Sequence, residues 1–185
     1  MGLDQFICAE HGWLSHVAVH EAAHAVIAHA RGIEFVDITI AHPAALAELL
    51  GGGPAVAGGL RLTTAEHRSW MPRQPDSALD TLMAGHVAEK LAFQHYLPNG
   101  HSGDLKILAM GMGWSPDTDP AIIDVALQNS RGRLEPEIVQ RYAAIKRIVD
   151  EIGRRLEVDQ YGSDTGFNAD LRLHAEEVIA LIENP

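Results

Sequence analysis

Residues 16–31 read HVAVHEAAHAVIAHAR, a stretch that apart from four histidines, one glutamate and a closing arginine is alanine, valine and one isoleucine. Val17, Val19, Ala23, Val26 and Ile27 sit at helix-compatible positions between about Trp13 and Ala30, and Gly32 stands where a helix would end. A helix with small apolar residues all round has no broad face suited to water. It has to be buried, with neighbours that approach it closely.

Inside this stretch His20, Glu21, Ala22, Ala23 and His24 spell HEAAH. Two histidines four apart project from one helix face about a turn apart, near enough for both imidazoles to reach one tetrahedral zinc ion. Glu21 points to one side of them, where a carboxylate can take the proton from water on the metal. The bland alternative is a helix that merely carries packed histidines. It is weakened by the cost of burying two unpaired imidazoles beside a glutamate without a ligand. His16, a turn before His20, is not expected as a third ligand, because three side chains from one straight helix cannot surround a tetrahedral ion. His29 falls on roughly the opposite face and reads as surface or packing.

The rest of the chain predicts what this helix packs against. IEFVDITI reads as a strand, AALAELLGGGPAVAGG as a loop, and GLRLTT as a second short strand. Asp76 to about Tyr96 has a helical repeat that Asp76 or Ser77 can cap. After LPNGHSGD, the run DLKILAMGMGW reads as another helix. DPAIIDVALQNS, EPEIVQRYAAIKRIVDEIGRRLEV and NADLRLHAEEVIALIE read as three more, the second with Pro136 in its first turn. The expected fold is mainly α with a small β-sheet, an α+β arrangement with the HExxH helix on a short sheet and a helical C-terminal part. Residues 1–185 are expected to form a single domain, with the active-site core at about 15–115 and the helical remainder at 116–185.

Fourteen Lys and Arg against 25 Asp and Glu give a formal net charge of −11, which leaves no basic footprint for nucleic acid or an anionic membrane. No stretch approaches the ~20 apolar residues of a membrane span, so no membrane anchor is expected. A single cysteine, Cys8, and an N-terminus without a signal-peptide pattern fit a reduced, cytoplasmic setting.

A catalytic zinc takes three protein ligands and keeps one position open, so a further ligand must return from downstream. The sequence AVIAHARGIEF after His24 matches neither a metzincin extension nor a thermolysin-type ExxxD, and ICAEHG around Cys8 is not a deformylase turn. AGHVAEKLAFQHYLPNGHSGDL, however, resembles the GGRxAEExxFG segment and TGAxNDL loop of FtsH-type zinc proteases, whose helix carries HEAGHA where this chain has HEAAHA. The likeness rests on Gly85, Ala88, Glu89, Leu91, Phe93, Gly100, Ser102, Asp104 and Leu105. FVDITI and GGLRLT stand where that family has two strands. The resemblance covers about residues 15–115 and the helical remainder only loosely.

The resemblance implies Asp104 as third ligand to one zinc ion, at the start of a helix; His101, three residues before it, is the competing candidate. It also implies Glu89 beside the metal, accepting the spare N–H of a ligand histidine. Ala23 replaces a family glycine, His86 an arginine and Gly103 an asparagine. No GxxxxGK[ST] occurs, so ATP-driven unfolding is not supplied by these residues. The expected activity is a stand-alone zinc metalloendopeptidase that hydrolyses peptide bonds in flexible or unfolded polypeptides, with Glu21 as general base. The alternative is a non-catalytic metal-binding regulatory or interaction module of the same descent. Association of copies, as in that family, and a separate ATPase partner are both left open.

Overall fold

A computed structural model describes residues 12–40, 58–63, 73–94, 102–162 and 171–184. The described residues are mostly helical with one three-stranded antiparallel sheet: α1 (Gly12–Ala30), β1 (Phe35–Ile40), β2 (Gly58–Leu62), α2 (Pro75–Phe93), α3 (Ser102–Gly111), α4 (Pro120–Gln140), α5 (Tyr142–Gly162), β3 (Leu171–His174) and α6 (Ala175–Glu183). No helix among them is long and apolar enough to cross a membrane.

α1 is the centre of the packing. Ala22, Ala23, Ala25, Val26, Ile27 and Ala28 are fully buried, and the helix meets α2, α5, α6, β1 and β2. Small side chains permit this close approach from several sides. The helix stops at Gly32, whose φ of +66° is a left-handed turn that glycine adopts without strain. There Ile33 N–H donates to the Ala28 carbonyl at 2.9 Å and Gly32 N–H to that of His29 at 3.0 Å, satisfying two end carbonyls.

The sheet runs β2-β1-β3. Ile38 lies opposite Leu60 on one side and Leu173 on the other, and a register shift between Phe35 and Asp37 interrupts the alternation of β1. Ile38 and Ile40, two residues apart, share a buried face. Asp37 is fully buried and ion-paired to its cross-strand neighbour Arg61.

Three expectations about the elements are corrected. Leu171–His174 is a strand rather than the start of a helix. Its LRLH alternation buries Leu173, and its pairing partner lies far upstream in sequence, where local periodicity gives no sign of it. α6 then begins at Ala175, with the Glu177 carboxylate accepting from His174 N–H at 2.8 Å.

Pro136 does not open a helix but lies inside α4. The interior proline sacrifices the bond to the Gly132 carbonyl, yet Ser130, Leu134 and Ile138 form a buried stripe spanning it, and α4 packs on α2. The break falls at Arg141 instead. Pro120 takes the first-turn place, with Asp119 accepting from Ala121 N–H at 2.9 Å.

Neither Asp76 nor Ser77 caps α2. Gln74 holds the cap position without a side-chain bond, because Pro75 occupies the first turn and starts the helix earlier. The helix ends at Phe93, and Tyr96 lies outside the described residues.

Candidate metal centre

Three elements deliver the polar side chains to one place. α1 carries His16, His20, Glu21 and His24, α2 carries Glu89, and the first turn of α3 carries Asp104. His20, His24 and Asp104 offer ligand atoms that all lie within 4.8 Å of one another, so this group can hold a metal ion. His20 and His24 side chains are each 5% exposed and that of Asp104 is 23% exposed, so the group opens toward solvent on the aspartate side.

Hydrogen bonds fix which nitrogen of each imidazole faces inward. His24 Nδ1 lies 2.6 Å from the Thr81 carbonyl, which can only accept, so Nδ1 carries the proton. His20 Nδ1 donates to Glu89 Oε1 at 2.6 Å. Both Nε2 atoms turn toward Asp104 Oδ2, at 2.9 Å for His20 and 3.4 Å for His24. The His24 approach is an ion-pair distance without hydrogen-bond geometry, and His24 Nε2 is buried with no partner.

Two neutral imidazoles with protonated Nδ1 would present two lone pairs to a carboxylate oxygen, and such a trio repels itself unless a positive charge lies among them. A metal ion meets that requirement. Ligand atoms ~2.0–2.2 Å from a tetrahedral ion stand roughly 3.3–3.6 Å apart, which the His24–Asp104 separation matches and the His20–Asp104 separation undercuts. The donor set of two imidazoles and one carboxylate suits a divalent transition metal such as zinc. It also leaves a fourth position.

The same crowding acts on proton affinities. Burial works to lower the His20 imidazole, but its hydrogen bonds to the Asp104 and Glu89 carboxylates and the charge of Glu21 lift it from 6.5 to about 10. His24 is raised as well: burial, the largest influence, and the charge of His20 lower it, but the close Asp104 carboxylate and the charge of Glu21 together outweigh them. Asp104 is held well below the usual carboxylate range, because His24 and His20 overcome its burial. Without a metal, a proton takes the cation's place.

Glu21 stands outside the converging trio. It is 5% exposed, its Oε2 has no partner, and burial foremost raises its carboxyl, with Asp104 and Glu89 adding and the two histidines opposing. A buried carboxylate with one oxygen unpartnered, beside a metal-binding group, can accept a proton more readily than one in water.

Two glycines make room for this geometry. A Cβ on Gly85 of α2 would stand 2.5 Å from the His20 ring, and one on Gly58 of β2 would stand 2.8 Å from the Thr39 carbonyl and 3.0 Å from Glu21 Oε1. The α2 backbone therefore lies against His20, and the first residue of β2 lies against Glu21.

The remaining sequence candidates separate cleanly. His16 is buried, with Nδ1 3.1 Å from Glu89 Oε2, and neighbours the metal group rather than joining it. His29 lies 3.4 Å from Glu183 on α6. His86 is half-buried on α2 and is not one of the converging three. His101, Gly100 and Cys8 lie outside the described residues. Sequence reasoning missed the Thr81 carbonyl, to which no side-chain pattern could point, and the tie between His16 and Glu89. The four-residue spacing of His16 and His20 was its one available sign.

No protein-family model matches the chain, and no curated protein matches it.

Proposed function

We propose that this chain is a zinc-dependent metalloendopeptidase of the FtsH type, acting on flexible or unfolded polypeptide. The observation that supports the reading is the meeting of His20 Nε2, His24 Nε2 and Asp104 Oδ2, with the Glu21 carboxylate buried alongside and its Oε2 without a hydrogen-bond partner. A zinc ion held by those three residues would supply Lewis acidity, polarising the scissile carbonyl and making water acidic enough to be deprotonated near neutral pH.

Glu21 takes one proton from the attacking water as the water oxygen bonds to the carbonyl carbon. It delivers that proton to the nitrogen as the C–N bond breaks, leaving a carboxyl and an amine product. Glu89 and the Thr81 carbonyl hold the two imidazoles in the tautomer that turns Nε2 inward. Among the described residues β2 pairs with β1 alone, and its Gly58 touches Glu21. An extended substrate added along β2 would pass beside the general base. The reduced, cytoplasmic setting belongs to the same reading.

The test is cleavage of a fluorogenic unstructured polypeptide by the zinc-loaded chain and by Glu21→Gln, with zinc content measured in both. The expected result is equal zinc and a loss of ~10²–10⁴-fold in rate, the range for removing a general base. Equal rates would overturn the mechanism. Stoichiometric zinc with no cleavage by wild type would favour the non-catalytic binding module, and absence of bound metal would remove both readings.

A further inference from the structure

The Glu89 carboxylate is divided between two imidazoles. Oε1 accepts from His20 Nδ1 at 2.6 Å and Oε2 from His16 Nδ1 at 3.1 Å. His16 also stacks on Phe93, with ring centroids 3.8 Å apart and planes inclined by 27°. His16 and His20 are four residues apart on α1, and Glu89 and Phe93 are four apart on α2, so two one-turn pairs face each other across the helix interface. All four side chains are buried.

The terminal torsion of a glutamate is soft, and a carboxylate held through one oxygen still rocks about it. Holding both oxygens removes that freedom. An imidazole whose Nδ1 donates to a fixed acceptor has its ring plane, and with it the direction of Nε2, fixed too. His16 is itself fixed by the Phe93 ring.

We propose that His16 is a positioning residue for metal binding, acting through Glu89 to keep His20 Nε2 aimed at the Asp104 side of the site. The proposal rests on the metal-site reading above. A plain packing role for His16 predicts a change in the stability of the metal-free chain and nothing more. A positioning role predicts a change in how the metal is held.

The experiment compares the full chain with His16→Leu, His16→Asn and Glu89→Gln, using zinc competition against a chromophoric chelator and the visible spectrum of the cobalt(II)-loaded proteins. Loss of a hydrogen-bond partner behind a ligand weakens metal binding by ~10–100-fold, and His16→Leu is expected near the low end of that range with shifted cobalt bands. His16→Asn, whose amide N–H can replace the Nδ1 donor, is expected to recover most of the loss and the wild-type spectrum. His16→Leu with wild-type affinity and spectrum would overturn the proposal, as would His16→Asn as weak as His16→Leu. If His16→Leu does not fold, the wild-type imidazole N–H resonances decide: the His16 Nδ1–H signal is expected to move on zinc addition, and an unmoved signal overturns the proposal. Wild type that binds no zinc defeats the metal reading itself. Zinc-binding wild type with an indifferent His16→Leu defeats only the role of His16.

Discussion

Two polar clusters, each built around buried side chains, lie along α2, and their charges are balanced in different ways. One end holds His16, His20, His24, Glu89 and Asp104. At the other, Asp80 accepts from Arg31, Arg133 and Ser130, and Arg31 also donates to Glu137 through both terminal nitrogens, at 3.0 and 2.7 Å. In the arginine cluster fixed cations meet fixed carboxylates, and both Asp80 oxygens are supplied with donors. In the histidine cluster the Nδ1 protons are committed outward, and acceptors are left facing one another. Buried charge alone does not mark a binding site. A surplus of acceptors aimed at one point does.

The largest expected effect tests the histidine cluster. Asp104→Ala should weaken zinc by more than the ~100-fold upper range seen for partners behind a ligand, since it removes a ligand itself. Equilibrium dialysis against zinc measures it, and near-wild-type affinity would place the third ligand elsewhere. The arginine cluster should respond in the opposite sense. Asp80→Ala takes the acceptor from buried Ser130, while Arg31 keeps Glu137 and Arg133 is partly solvated, so it should cost ~1–3 kcal/mol in denaturant unfolding, with zinc affinity unchanged. A variant that lost zinc as well would show the clusters to be coupled.

Gly85→Ala sharpens the contrast from the backbone side. A methyl group 2.5 Å from the His20 ring should overpack by ~1–3 kcal/mol and displace the ring. Its zinc affinity should fall with its stability, unlike that of Asp80→Ala. Proton release gives a further distinction. The metal-free His20 keeps its proton up to about pH 10, so zinc uptake at pH 7–8 must expel it, and affinity should climb with pH across that range. Calorimetry in two buffers of different ionisation enthalpy reads the released proton. Identical heats in the two would contradict the geometry.

The smallest effect lies outside both clusters. Arg154 and Arg155 lower the Glu151 carboxyl from 4.5 to about 2. A depressed carboxylate stabilises the fold above its unfolded pKa and loses that contribution as pH falls through the folded one. The advantage of wild type over Glu151→Gln in thermal melting should therefore be full above pH 4.5 and vanish toward pH 2.

Much of the scaffold is legible in the sequence wherever the determinant is local. HVAVHEAAHAVIAHAR announces a buried helix, Gly32 ends it, and the β-branched run of β1 reads as a strand. Elements decided at long range are not legible. LRLH becomes a strand because β1 offers it an edge, and Pro136 is carried through by packing on α2. The site divides in the same way. His20 and His24 declare themselves by spacing, with Glu21 between them. Asp104 and Glu89 were reached only through the likeness to FtsH-type peptidases, and the Thr81 carbonyl and the seats at Gly58 and Gly85 are properties of backbone proximity that no residue type encodes.

The position of β3 carries a consequence for biogenesis. β1 lies in the middle of the sheet, yet the strand that covers its second edge is synthesised long after it, beyond α5. Until Leu173 docks against Ile38, a nascent chain holds an apolar strand with an open row of amides and carbonyls. Pairings between distant segments form slowly and leave such edges exposed to other chains meanwhile. During synthesis this protein is therefore open to pairing with other chains until β3 has docked.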